Sequence, residues 1–185
     1  GTIGEIILAA RQLEAALRKL SGPTEVAGLH ALTELLGSRG KSIWMEAPIH
    51  FAYGSNTHMG DHVYANFNLM LVDDTHIYIG DNTMIGPNVV LATAGHPIDP
   101  ELRGRGLQYN LPVRIGNNCW LGAGVIVMPG VTIGDNTVVG AGSVVTKDLP
   151  ANVVAVGNPC KVLRPVGERD RNFYYKDRPI DPKFF

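Results

Sequence analysis

Between Ile115 and Pro150 one six-residue pattern is written six times, as IGNNCW, LGAGVI, VMPGVT, IGDNTV, VGAGSV and VTKDLP. The first position is always aliphatic: Ile115, Leu121, Val127, Ile133, Val139 and Val145. The fifth is small or modest in size: Cys119, Val125, Val131, Thr137, Ser143 and Leu149. The fourth holds Asn118, Gly124, Gly130, Asn136, Gly142 and Asp148, residue types that enter positive φ at least cost. Each unit therefore reads as a short extended run with two inward side chains, followed by a turn. Three such runs close a triangular coil, and stacked coils form a parallel β-helix of the hexapeptide kind.

The same frame can be followed upstream through Ala47, Tyr53, Met59, Ala65 and Leu71, with Asn56, His62, Asn68 and Asp74 in the turns. It slips by two residues at Val72-Asp73-Asp74, then resumes at Ile79, Ile85 and Leu91, with Asn82 and Asn88 in the turns. A slip in so regular a ladder marks either a site or a tolerated bulge. Over residues 92–114 the repeat stops in an excursion that begins Thr93-Ala94-Gly95-His96-Pro97, runs through Arg103, Arg105 and Tyr109, and returns at Leu111-Pro112. Leu91 and Ile115 are 24 residues apart, four whole hexads, so the coil phase is kept. A loop of this length is functional or disordered.

Near the start, Ile6, Leu13, Leu17 and Leu20 recur at helical intervals, and Ser21-Gly22-Pro23 ends that helix. Thr24 can cap a second helix over roughly 25–36, stopped by Gly37. The chain thus divides into an N-terminal helical cap (1–40), an all-β coil domain (41–165) and a polar, aromatic C-terminal tail (166–185) that packs against a neighbour. The cap would shield the open sheet edge at one end of the coil.

Composition narrows the function classes. Sixteen Lys and Arg against seventeen Asp and Glu give a net charge of −1, so no overall field points to nucleic acid or a membrane surface. The apolar run Ile6 to Ala10 is too short to span a bilayer or form a signal core. Cys119 and Cys160 form neither a metal spacing nor a disulfide framework, and Cys119 falls in an inward slot where it packs as a small hydrophobe. A cytoplasmic protein is the resulting expectation, and Gly1 in place of Met reads as a processed or trimmed start.

Six histidines are candidates for chemistry. His62 and His50 fall in turn slots, His58 and His76 near turns or strand ends, and His30 on a helix, and nothing in the pattern singles out any of these five. His96 differs, because it stands between Gly95 and Pro97 where the coil opens, and an imidazole there faces a groove rather than the core. On the residue alone a general base and a structural histidine both remain open.

At this point the residues carry a resemblance. From about Ala47 to Arg164 the chain is similar to the maltose and galactoside O-acetyltransferases of the hexapeptide acyltransferase superfamily, including their nodulation-protein relatives. The resemblance rests on Tyr64-Ala65-Asn66-Phe67-Asn68, Val72-Asp73-Asp74, Ile79-Gly80-Asp81-Asn82, Gly86-Pro87-Asn88 and Thr93-Ala94-Gly95-His96-Pro97. Ile115-Gly116-Asn117-Asn118, Val145-Thr146-Lys147-Asp148 and Gly157-Asn158-Pro159-Cys160 extend it. It implies a left-handed β-helix of roughly five coils and a homotrimer with active sites between adjacent prisms. It further implies an acetyl group passed from acetyl-CoA to a sugar hydroxyl, with no metal required. In that family pattern His96 is the general base, Asn66 supports the transition state and touches substrate, and Asp74 holds an acceptor hydroxyl. Acetyl-CoA would lie along Ala123, Ala141, Thr146, Lys147, Lys161 and Arg164, with Trp120 beside it.

Two departures bear on the acceptor. Ala52 stands where the family has a sugar-contacting serine, and residues 1–20 do not match its N-terminal sugar contacts. An amino sugar or a xenobiotic is therefore an alternative acceptor. A zinc enzyme of the β-helical carbonic anhydrase type and a non-catalytic scaffold are the more distant rivals. The first needs three converging imidazoles; the second needs no set of Asn66, Asp74 and His96.

Overall fold

A computed structural model describes residues 35–184. The helices expected over the first 34 residues lie outside this range. The described chain is a left-handed parallel β-helix of about six turns, and its strands recur in strict rotation on three faces. The first face stacks Ser38–Arg39, Thr57–Met59, Ile77–Ile79, Val113–Ile115 and Thr132–Ile133. The second stacks Trp44–Met45, Tyr64–Ala65, Met84–Ile85, Trp120–Leu121, Val138–Val139 and Val153–Val156. The third stacks Ile49–Phe51, Leu69–Val72, Val90–Ala92, Ile126–Val127 and Val144–Val145. Val153–Val156 adds a sixth rung to the second face, one more than the five coils expected, because Pro150 ends a face rather than the coil.

The inward slots are those of the hexad. Ile115, Leu121, Val127, Ile133, Val139 and Val145 are buried, as are Cys119, Val125, Val131, Thr137, Ser143 and Leu149. Like residues stack along the prism axis, Ile79 on Ile115 on Ile133 and Ile85 on Leu121, so each coil packs directly on the last. At the corners Asn68, Asn82, Asn88, Asn118 and Asn136 all have φ between 53° and 59°, and His62 has φ 56°. Asparagine also bonds along the axis, with Asn118 Nδ2 donating to Asn136 Oδ1 (3.0 Å) and Asn136 Nδ2 to Asn152 Oδ1 (2.9 Å). Asp148 and Asp74 are not in the left-handed region; Asp148 Oδ1 instead accepts the Thr132 N–H at 2.8 Å.

The frame before Met59 differs from the expected one. Met45 and Phe51, not Ala47 and Tyr53, take the inward positions, and His50 lies within a strand rather than in a turn. The two-residue slip recurs at the same corner in successive coils, between Phe51 and Met59 and between Leu71 and Ile79. Stacked Asp61 and Asp81 are accordingly 20 residues apart, whereas Asn117 and Asp135 are 18 apart. The coil carrying the excursion spans 36 residues, from Asp81 to Asn117, so the ladder resumes in register. Thr93 anchors the excursion: its hydroxyl donates to Val72 O (2.8 Å) and its carbonyl accepts from Leu111 N (2.8 Å). Among the described residues no helix is long and apolar enough to cross a membrane.

Candidate active site

The sequence-predicted residues fall on two corners of the prism and on a return strand at its C-terminal end. Asn66, Ala123 and Ala141 follow strands of the second face, and with Trp120 they line one groove of about 450 Å³. Tyr64, Met84, Pro87 and Val138 complete much of its wall. The corner must be glycine-rich on its inner side, since a Cβ on Gly122 would sit 2.6 Å from Ala141 N and one on Gly86 2.8 Å from Ala123 N. Ala123 and Ala141 carry only methyl groups outward and leave the groove open. Asn66 is fixed by its own turn, its Oδ1 accepting the Phe67 N–H at 2.8 Å, which leaves the carboxamide N–H groups as donors. Trp120, 55% exposed, presents its indole along the groove wall rather than to the core.

Asp74, His96, Thr146 and Lys147 follow strands of the third face, at the corner from which the excursion leaves. A two-stranded antiparallel ribbon, Ala94–Gly95 with Tyr109–Asn110, holds the base of that excursion. The short helix Pro100–Gly104 stiffens it: Asp99 Oδ1 caps Leu102 N (2.9 Å), and Arg103 donates to the carbonyls of Pro97 (3.0 Å) and Ile98 (2.8 Å). His96 is exposed, and its Nδ1 lies 3.0 Å from Leu107 O. A carbonyl can only accept, so Nδ1 carries the proton and Nε2 holds the lone pair. Asp74 Oδ1 accepts from Gln108 Nε2 at 3.1 Å.

Lys161 and Arg164 lie on Lys161–Pro165, a return strand antiparallel to Val153–Val156 at the end of the second face. Lys161 is exposed. Arg164 is committed elsewhere, because Nη1 and Nη2 each meet one Asp170 oxygen at 2.6 Å. None of His96, Asp74, Thr146, Lys147, Lys161 and Arg164 lines the groove that holds Asn66.

Three features escape a sequence reading. Asp73 is fully buried at the slip, where its carboxylate accepts from Ala52 N (3.1 Å), Tyr53 N (2.8 Å) and Thr57 Oγ1 (3.2 Å). Burial pushes its pKa up, against the opposing Tyr53 and Thr57 hydrogen bonds. Gln108 joins the Asp74 cluster from 34 residues away. On the first face His58 Nε2 and His76 Nδ1 lie 3.0 Å apart, and Ser38 Oγ is 2.9 Å from His58 Nδ1. His58 stacks on Tyr78 (4.9 Å, 15°), whose ring carries the Arg114 guanidinium at 4.3 Å. Burial and then the neighbouring His76 lower the pKa of His58. Among the described residues no three His, Cys, Asp or Glu side chains gather as a metal site. Cys119 packs as expected, a buried thiol 3.2 Å from Gly134 O.

Comparison with known proteins follows the same lines. Residues 112–147 match the family described as bacterial transferase hexapeptide (six repeats). Galactoside O-acetyltransferase of Escherichia coli (strain K12) is 51% identical over 162 residues, covering 87% of this chain and 80% of that protein. A solved galactoside acetyltransferase in complex with coenzyme A superposes with a TM-score of 0.91 at 47% identity, over 97% of this chain and 90% of its own. A maltose O-acetyltransferase from Clostridium difficile 630 gives 0.86 at 45% identity, over 90% and 89%.

Proposed function

The chain belongs to the family of hexapeptide-repeat galactoside and maltose O-acetyltransferases, and we propose that it acetylates a hydroxyl group of a sugar with His96 as the general base. It is an acyltransferase that takes its acetyl group from acetyl-CoA. The observation that carries the proposal is the His96–Leu107 hydrogen bond, which fixes the tautomer so that Nε2 of this exposed side chain holds the lone pair.

A sugar hydroxyl is a poor nucleophile at neutral pH because its pKa is far higher. Nε2 removes the hydroxyl proton as the oxygen attacks the thioester carbonyl carbon, a contribution of ~10²–10⁴ in rate. Charge then gathers on the former carbonyl oxygen, and the Asn66 carboxamide, its oxygen held by the Phe67 N–H, supplies a donor for it from the groove wall. The C–S bond breaks as the C=O reforms, and the imidazolium returns its proton to the departing thiolate. Asp74 accepts a second acceptor hydroxyl. Ala123, Ala141 and Trp120 line the donor groove, Lys161 contacts acetyl-CoA beyond it, as does Arg164 once released from Asp170, and Thr146 and Lys147 reach it from the His96 corner of a second copy.

Asn66 and His96 lie on different corners of one prism, after the second and third faces. A site that uses both draws them from two copies, which supports a homotrimer with sites between prisms. Use of acetyl-CoA as the donor supports a cytoplasmic location. Thiol release from acetyl-CoA across a panel of maltose, glucose and galactosides tests the reading. Sugar-dependent release with one O-acetyl product per thiol is the expected result. Release only with amines, forming amides, would replace the hydroxyl by an amino sugar or xenobiotic acceptor.

A further inference from the structure

The ribbon register pairs Gly95 with Tyr109, and so sets Gln108 opposite His96, just beyond the paired residues. Leu107 and Gln108 then act on the two sides of the cluster: the Leu107 carbonyl orients His96, and the Gln108 side chain reaches Asp74. Gln108 Nε2 donates to Asp74 Oδ1 at 3.1 Å and to Asn110 Oδ1 at 2.8 Å. A primary amide has two N–H bonds, so both are used. Its Oε1 remains as an acceptor, and Asp74 keeps its second carboxyl oxygen, Oδ2, outside this contact.

We propose that Gln108 is a specificity-determining residue, which with Asp74 presents two outward acceptors and so selects substrates carrying a second hydrogen-bond donor beside the hydroxyl that is acylated. This rests on the sugar O-acetyltransferase reading and extends it to the acceptor class: polyols and sugars are taken in preference to simple alcohols. Gln108 serves twice. Its amide nitrogen holds Asp74 in one orientation, and its carbonyl oxygen receives a substrate hydroxyl. Both interactions are lost in an apolar side chain of similar length, whereas the ribbon's backbone pairing of Ala94 with Asn110 and Gly95 with Tyr109 is not.

The test uses the full chain, acetyl-CoA, and a methyl glycoside series in which each hydroxyl in turn is replaced by hydrogen. In the parent, one of the deoxy analogues should lose at least about tenfold in kcat/KM, the effect of one unpaired polar group in a site built to bind it. In Gln108→Met the acceptor KM should rise about tenfold with the KM for acetyl-CoA within twofold of the parent's. The same variant should shrink the deoxy penalty at that position to less than about threefold, because the partner atom is gone. A merely structural Gln108 would weaken every member of the series equally and leave the ratio intact, and that result overturns the inference. Unchanged acceptor KM overturns it too. Turnover of sugars by the parent with either of those results leaves the enzymatic reading standing; no turnover of any hydroxyl acceptor overturns both.

Discussion

Arg164 and Asp170 form a two-pronged ion pair, with each guanidinium Nη 2.6 Å from one carboxylate oxygen. The Arg164 hydrogen bonds, helped by the Gly167 N–H, hold the Asp170 carboxyl at about 2. The pair is therefore complete above the ordinary carboxylate value of 3.8 and is lost only as pH falls through about 2. The resemblance gives Lys161 and Arg164 equal parts in binding the acyl donor, but the geometry separates them. Lys161→Ala should raise the KM for acetyl-CoA several-fold, in the range of an exposed charge-assisted contact. Arg164→Ala should change it less, and Asp170→Asn should lower it by releasing the guanidinium. Steady-state kinetics at fixed acceptor concentration reads all three. A larger effect at Arg164 than at Lys161 would show that the ion pair opens on binding.

Asp73 gives a stability prediction with a defined sign. Asp73→Ala strands the Tyr53 N–H and leaves the Ala52 N–H with Leu71 O alone (3.0 Å), and should cost about 1–3 kcal/mol. Asp73→Asn keeps an acceptor for both and a donor for Thr57, so its cost should be smaller. Between 3.8 and the raised folded value, the folded chain holds a proton that the unfolded chain has lost. Rising pH through that window therefore lowers the parent's stability relative to Asp73→Asn, which does not titrate. Urea midpoints of both proteins across pH 4–8 measure the difference, and a gap that widens in the parent's favour would contradict the assignment.

Gly95 and Tyr109 test the ribbon that positions His96. A Cβ on Gly95 would overlap Cζ and the hydroxyl oxygen of Tyr109. Gly95→Ala should displace the ring and with it the neighbouring Gln108 and His96, lowering turnover at least about tenfold for a misplaced base. Tyr109→Ala makes room, so the double variant should recover part of the loss instead of adding to it. Strict additivity of the two changes would argue against this clash as the cause.

The coil was legible because its signal is one-dimensional: an inward side chain at two fixed slots and a left-handed residue at one. Ile115 to Val145 follow that rule without exception. The early frame was harder, since Ala47 and Tyr53 are apolar enough to imitate inward positions, and only the stacking of Met45 on Ala65 and of Phe51 on Leu71 distinguishes them. Asp73 was opaque for another reason. A carboxylate inside a prism is stable only because backbone N–H groups from the coil before it converge there, 20 and 21 residues away in sequence. Gln108 and Asp170 were missed likewise, because their importance lies in the partner they meet. The division of the site between two corners follows from strand order, which a periodic reading does not resolve across the excursion.

The central claim is that an exposed His96, its tautomer set by Leu107, is the base for acetyl transfer. The most direct measurement is single-turnover acetyl transfer by His96→Ala, alongside its thermal midpoint and its affinity for acetyl-CoA. Because the side chain lies outside the core, the midpoint and donor affinity should stay near the parent's while the transfer rate falls by ~10²–10⁴. Transfer at the parent's rate in a folded His96→Ala protein, with any acceptor the parent uses, would contradict the claim.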